Sequence, residues 1–253
     1  LILLMIVLHE GVILPVWVEW SKFEEPKHAV IKQGHKIFLS GEMPNLLIPL
    51  KGNAAFVLAT SRDIWIFENI LTTSAVTTKL IIDRENPPQH YPPSSFDPLW
   101  SKWIRPRRGS EYDEEDYIYL ISEDGNVYYL VFEQESPREG VVINYVGRLE
   151  CHVDSACAPF GRSDQGDILI VQGASSTGCV WMTECRQAPS SDSEPNGGMH
   201  GFFVSSLPNW SENLDLIAKP TSRKRLPLYS RDALFAPSGR QPYGHITELR
   251  MGL

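Results

Sequence analysis

The chain has 253 residues, is 42% hydrophobic and carries a net charge of −8. That is apolar material enough for a large core, and the wrong sign for general coating of nucleic acid. Its 18 glycines and 19 prolines suit many short strands joined by turns. Four cysteines in so long a chain do not make a disulfide framework, which points to a reducing compartment.

Leu1–Leu8 is wholly apolar, His9-Glu10-Gly11 interrupts it, and Val12–Trp20 continues. A hydropathy scan would mark a membrane span here. Glu10, Pro15 and Glu19 argue against one, and a buried hairpin explains the same residues. Residues 21–45 are polar and suit an outer strand and loops. Leu46–Leu50 then precedes a hairpin made of Ala54–Ala59, a Thr-Ser-Arg-Asp turn and Ile64–Phe67. Thr77–Ile82 is a further strand.

Residues 86–116 read as a long surface insertion. The stretch holds Pro87, Pro88, Pro92, Pro93, Pro98 and Pro106, which exclude it from central strands. It also holds Trp100 and Trp103 among Lys102, Arg105, Arg107 and Arg108, with the acidic Glu111–Asp116 run beyond. Trp and Arg are favoured at interaction hot spots, so Trp100, Trp103, Arg105, Arg107 and Arg108 are candidate partner-binding residues. The plainer account is that the two indoles pin the loop to its own sheet.

Tyr117–Ile121, Asp124-Gly125 and Val127–Phe132 form the clearest hairpin signal of the chain. Asp-Gly between apolar runs predicts a type I′ turn with positive φ at both positions. Neither run alternates polar with apolar, so both faces of both strands are expected to be covered. The pattern returns at Ile168–Val171 with Cys179–Thr183, and more weakly at Ala233–Phe235 with His245–Leu249. One hairpin repeated at about blade spacing, ~40–50 residues plus loop insertions, predicts a β-propeller. The expected fold is all-β and WD40-like, with successive antiparallel hairpins as blades of an incomplete ring. Because the chain opens and closes inside strand-like sequence, it reads as part of something longer, with little stability alone.

Chemistry is harder to find. Gly173–Gly178 has the glycine spacing of a phosphate-binding loop, but Cys179 and Val180 stand where Lys and Ser/Thr are needed, and a strand follows. Cys151/Cys157 and Cys179/Cys185 are too far apart on extended strands to share a zinc, for want of the two-to-four-residue spacing of structural sites. No catalytic, metal or cofactor-binding residue is assigned. Residues 186–201 are a Ser-, Pro- and Gly-rich linker, with Ser190, Ser191 and Ser193 open to phosphorylation. The basic cluster Arg223, Lys224 and Arg225 is a candidate localisation signal or contact for a phosphate or a partner, against the plainer account of a solvated loop.

An ordered set of motifs resembles one family. Asn45–Gly52 and Phe56–Ala59, then Tyr117–Glu133, Val146–Leu149, Asp167–Gly178 with Val180 and Trp181, and Gly239–Leu253 follow the order seen in the damage-specific DNA-binding protein 1 family. That family includes the large subunit of the cleavage and polyadenylation specificity factor and subunit 3 of splicing factor 3b. The resemblance implies a long, nuclear, non-enzymatic scaffold of three propellers. Its partners would be other proteins of a multi-subunit complex, with nucleic acid reached through that complex, no small-molecule substrate and no membrane. On this reading residues 1–230 are blades of the N-terminal propeller, and 231–253 are its last strands, leading toward a following domain. The branch stays open between DNA repair with ubiquitin ligation, mRNA 3′-end formation and splicing. Two other classes also stay open: a propeller-type hydrolase, which would need two placed carboxylates, and a direct nucleic-acid binder using Lys102–Arg108 and Arg223–Arg225.

Overall fold

The computed structural model describes residues 2–8, 11–20, 29–39, 43–52, 54–61, 63–72, 75–82, 99–106, 114–149, 153, 156–162, 166–172, 179–187, 199–208, 216–219, 233–238 and 244–249. Every regular element among them is a strand, and all the paired registers are antiparallel. Two compact units result. The first comprises residues 1–82 and 133–139, the second residues 83–132 and 140–253.

In the first unit, β1 (Ile2–Leu8), β2 (Val12–Trp20) and β3 (Ala29–Gln33) form one sheet, and β4 (Ile37–Phe38) also pairs with β2. The apolar N-terminal stretch is therefore a hairpin of paired strands, and no helix among the described residues is long and apolar enough to cross a membrane. A second sheet has the order β5 (Pro44–Pro49), β6 (Phe56–Thr60), β7 (Ile64–Glu68), β8 (Val76–Leu80). β6 is buried at all five positions, as a continuous apolar run requires. Phe56 and Phe67 are register partners whose rings stack at 4.7 Å, and with Leu58 they pack on Ile13, Leu39 and Ile70. Ile13 and Leu39 come from the first sheet's part of the chain, so the two sheets share this core face to face. The linking segment 133–139 lies on this unit as well. Glu68, 5% exposed, takes the Arg138 backbone N–H at 3.0 Å and its guanidinium Nε at 3.5 Å.

In the second unit, β9 (Trp100–Ile104), β10 (Glu115–Ser122), β11 (Asn126–Glu133) and β12 (Val142–Arg148) form one four-stranded sheet. β13 (Ala156–Arg162), β14 (Gly166–Gln172), β15 (Cys179–Gln187) and β16 (Met199–Pro208) form the next. β17 (Ile217–Lys219), β18 (Ala233–Ser238) and β19 (His245–Leu249) form a third. Strand order follows chain order within each sheet, as in a propeller blade. Tyr117, Tyr119, Ile121, Val127 and Tyr129 of β10 and β11 face Leu169 and Val171 of β14 in one core. Ile118, Leu120, Leu130 and Phe132, on the alternate positions, are buried too. The fold is that of successive antiparallel blades of an incomplete β-propeller, four of four strands and one of three among the described residues.

Two local expectations change. Trp100–Ile104 is a strand, β9, within the stretch read as an insertion, and its residues pair with β10 from Tyr119↔Ile104 to Ser122↔Trp100. The prolines remain consistent with this, because β9 is an edge strand. The β10–β11 turn is also not type I′. Among residues 122–126 only Gly125 has positive φ, at 89°, and its N–H donates to the Ser122 carbonyl at 3.0 Å. This is the three-residue hairpin loop that ends on a left-handed glycine. Gly11, just before β2, also has positive φ, at 67°. In each case the glycine carbonyl accepts an N–H from a buried leucine beyond the outer strand, Leu149 for Gly125 and Leu39 for Gly11. That recurrence marks the two sheets as copies of one unit.

Candidate partner-binding surfaces

Of the sequence candidates, Trp100 and Trp103 lie on β9 and Arg105 directly follows it. Trp100 is 2% exposed and meets the edge of Tyr128 at 5.5 Å, and Tyr128 meets Tyr145 at 5.3 Å. This arrangement of aromatic rings packs the inside of the sheet. The Tyr145 hydroxyl donates to Asn126 at 3.2 Å, and burial, which outweighs nearby Arg148, holds its pKa above the ordinary tyrosine value. Where β9 begins, the Glu123 N–H donates to the Leu99 carbonyl at 2.9 Å, and the Leu99 N–H donates to the Glu123 carboxylate at 3.3 Å.

Trp103 is half-buried. The Arg105 guanidinium lies over its ring at 5.4 Å and also grips Asp116 through two bonds, Nε–Oδ1 at 2.8 Å and the terminal nitrogen to Oδ2 at 2.9 Å. A bidentate pair of this kind fixes the planar cation in place. Asp116 is 1% exposed, so the last residue of the acidic run neutralises a cation of the basic one. Trp103 and Arg105 thus form one rigid surface element, and Trp100 belongs to the interior. Arg107, Arg108, Arg223, Lys224 and Arg225 lie outside the described residues, as do the 173–178 turn and Ser190, Ser191 and Ser193. The Cys157 thiol reaches the Trp103 carbonyl at 3.7 Å. Among the described residues no cluster of His, Cys, Asp and Glu could hold a metal ion.

A second surface, in the first unit, escaped the sequence reading. A cleft of about 480 Å³ opens between the 35–39 segment and the sheet of β6, β7 and β8. Phe67 forms its floor and half-buried Trp65 its wall, while Phe38 stands 76% exposed at its mouth. Lys79, the register partner of Trp65, sits over the indole at 5.6 Å and binds Asp63 at 2.7 Å. Asp63 is in turn fixed by the β6–β7 turn, where its N–H meets Thr60 Oγ1 at 3.0 Å and its carbonyl takes the Thr60 N–H at 2.8 Å. On the other wall, Gly34 donates to the Pro15 carbonyl at 2.9 Å, and residues 34–36 bulge between β3 and β4. His35, Lys36 and Phe38, all exposed, line the cleft from this side.

No curated protein matches the chain. The family model described as the RSE1/DDB1/CPSF1 first beta-propeller matches residues 18–197, from the end of β2 to beyond β15. With most of the chain inside that match, and with the blades and turns described above, the chain belongs to the RSE1/DDB1/CPSF1 first-propeller family.

Proposed function

We propose that this chain is the first-propeller part of a nuclear, non-enzymatic scaffold. It holds other proteins together in an assembly of DNA repair and ubiquitin ligation, of mRNA 3′-end formation, or of splicing. The observation that carries the reading is the family match over 18–197, and a propeller of this family supports a scaffold role in general. Blades built on buried hairpins present rigid edges and turns, which is what a docking platform needs. The partners are other protein subunits, and nucleic acid is reached through them. Trp103 with Arg105, and the basic residues Arg107, Arg108, Arg223, Lys224 and Arg225, are the proposed contacts on the second unit.

The test is affinity purification of the full-length protein from cross-linked nuclear and non-nuclear fractions, with partners identified by mass spectrometry. The expected result is stoichiometric recovery of the subunits of one of the three assemblies from the nuclear fraction. Recovery of the protein alone, or from a secreted fraction, overturns the reading. Trp103→Ala, made separately from any change at buried Trp100, should lower partner recovery at an unchanged melting temperature.

A further inference from the structure

We propose that the cleft between the 35–39 segment and β7 is a docking groove for a short acidic segment of a partner protein, held by one aromatic anchor. The inference rests on the reading of the chain as a protein-binding scaffold. Three observations support it. The cleft, at about 480 Å³, is wide enough to bury a large side chain with its neighbours, and Phe67 and Trp65 give it an apolar floor and wall. Its wall is already held in place: Lys79 covers one face of Trp65, Asp63 holds Lys79, and the turn holds Asp63. A site fixed in advance loses little freedom on binding.

The charge supplies the partner's chemistry. The whole chain carries −8, yet among the described lining residues Asp63 is already paired with Lys79, which leaves Lys36 as the charge at the groove's edge. Lys36 is exposed and points the preference toward carboxylates flanking the anchor. Phe38, 76% exposed at the mouth, offers a ring against which an incoming aromatic side chain can pack. A basic or uncharged segment gains the apolar contact but not the charge, and a bare acidic segment gains the reverse.

The experiment selects short random peptides from a display library on the immobilised full-length protein. Enriched peptides are expected to carry an aromatic residue flanked by Asp or Glu. Their affinity should fall about tenfold on Phe38→Ser, as an anchor contact is lost, and a few-fold on Lys36→Glu. Ile31→Ser, on the equally exposed β3 outside the cleft, should leave binding unchanged, and all three melting temperatures should match the parent. The proposal is overturned by no enrichment, by enrichment of neutral or basic peptides, by indifference to Phe38→Ser, or by equal damage from Ile31→Ser. If the affinity purification recovers partners while the selection fails, the groove is rejected and the scaffold stands. If no partner is recovered at all, the scaffold reading itself falls.

Discussion

The hairpins β6–β7 and β10–β11 occupy the same middle place in their sheets, yet they are held together by different means. β6–β7 is apolar throughout its centre: Val57, Leu58, Ala59 and Ile66 are fully buried, and its one aromatic pair is a parallel stack. β10–β11 is rich in tyrosine and buries charge. The Tyr119 hydroxyl donates to Asp167 at 2.7 Å, and buried Asp116 holds Arg105. Burial of apolar surface has no direction, whereas hydrogen bonds and ion pairs have one. The first hairpin should therefore respond to lost volume and the second to lost partners.

Leu58→Ala breaks the apolar hairpin most. It empties a fully buried position in the shared core and should cost about 2–5 kcal/mol in denaturant unfolding. Leu58→Met, which keeps volume, should cost under about 1.5 kcal/mol. Asp116→Ala breaks the second hairpin in the other way. It removes the carboxylate that holds Arg105 by two bonds, and the cost should be about 2–3 kcal/mol, below that of a wholly buried pair because Arg105 is 27% exposed. An Asp116→Ala change that proves neutral would show that the pair contributes only surface electrostatics.

Gly52 sharpens the picture of the first unit. A Cβ there would stand 2.3 Å from the Gln134 carbonyl oxygen, which is backbone and cannot swing aside. Gly52→Ala should cost about 1–3 kcal/mol and loosen the 133–139 segment, seen as faster amide exchange at Arg138. Tyr119→Phe is milder. It keeps the ring against Tyr129 at 4.8 Å and removes one donor from buried Asp167, costing about 1–2 kcal/mol. The same kind of change in β6–β7 is impossible, since that core has no hydroxyl to remove at Phe56 or Phe67.

The hairpins themselves were legible in the sequence because continuous β-branched and aromatic runs broken by Asp-Gly or Arg-Asp leave little else to form. The turn type was not legible: Asp-Gly serves both a two-residue loop and a three-residue loop, and only the register decides which residue takes positive φ. β9 was hidden by Pro98 and Pro106 at its flanks and by its basic residues, whose charge is met by Asp116 only after the chain returns in β10. The cleft was hidden for a similar reason. Phe38 and Trp65 belong to different sheets and come together only in the folded chain, which no local pattern announces. Glu68 ended a strand like Glu133, but Arg138, at a separation of 70 residues, makes it a buried carboxylate while Glu133 stays exposed.

The smallest expected effect lies at β2–β3, where the structure uses charge in the open. Lys32 Nζ meets Glu19 Oε2 at 2.6 Å, and the Trp17 indole N–H reaches the other oxygen at 2.9 Å. The hydrogen bond from Lys32, then that from Trp17, hold the Glu19 carboxyl below its ordinary pKa. A depressed folded-state pKa means that the folded form favours the carboxylate. The stabilisation is therefore complete above the ordinary glutamate pKa and disappears as pH falls through the lower, folded value. Both side chains are close to half exposed, so water and salt screen the pair. Melting curves of the parent and Glu19→Gln should differ slightly near neutral pH, converge in acid, and converge again at neutral pH when salt is raised. Asp116→Ala, measured beside it, should keep its deficit in salt, because Asp116 is buried. Equal salt sensitivity of the two variants would remove the distinction between a charge pair inside the sheet and one on its edge.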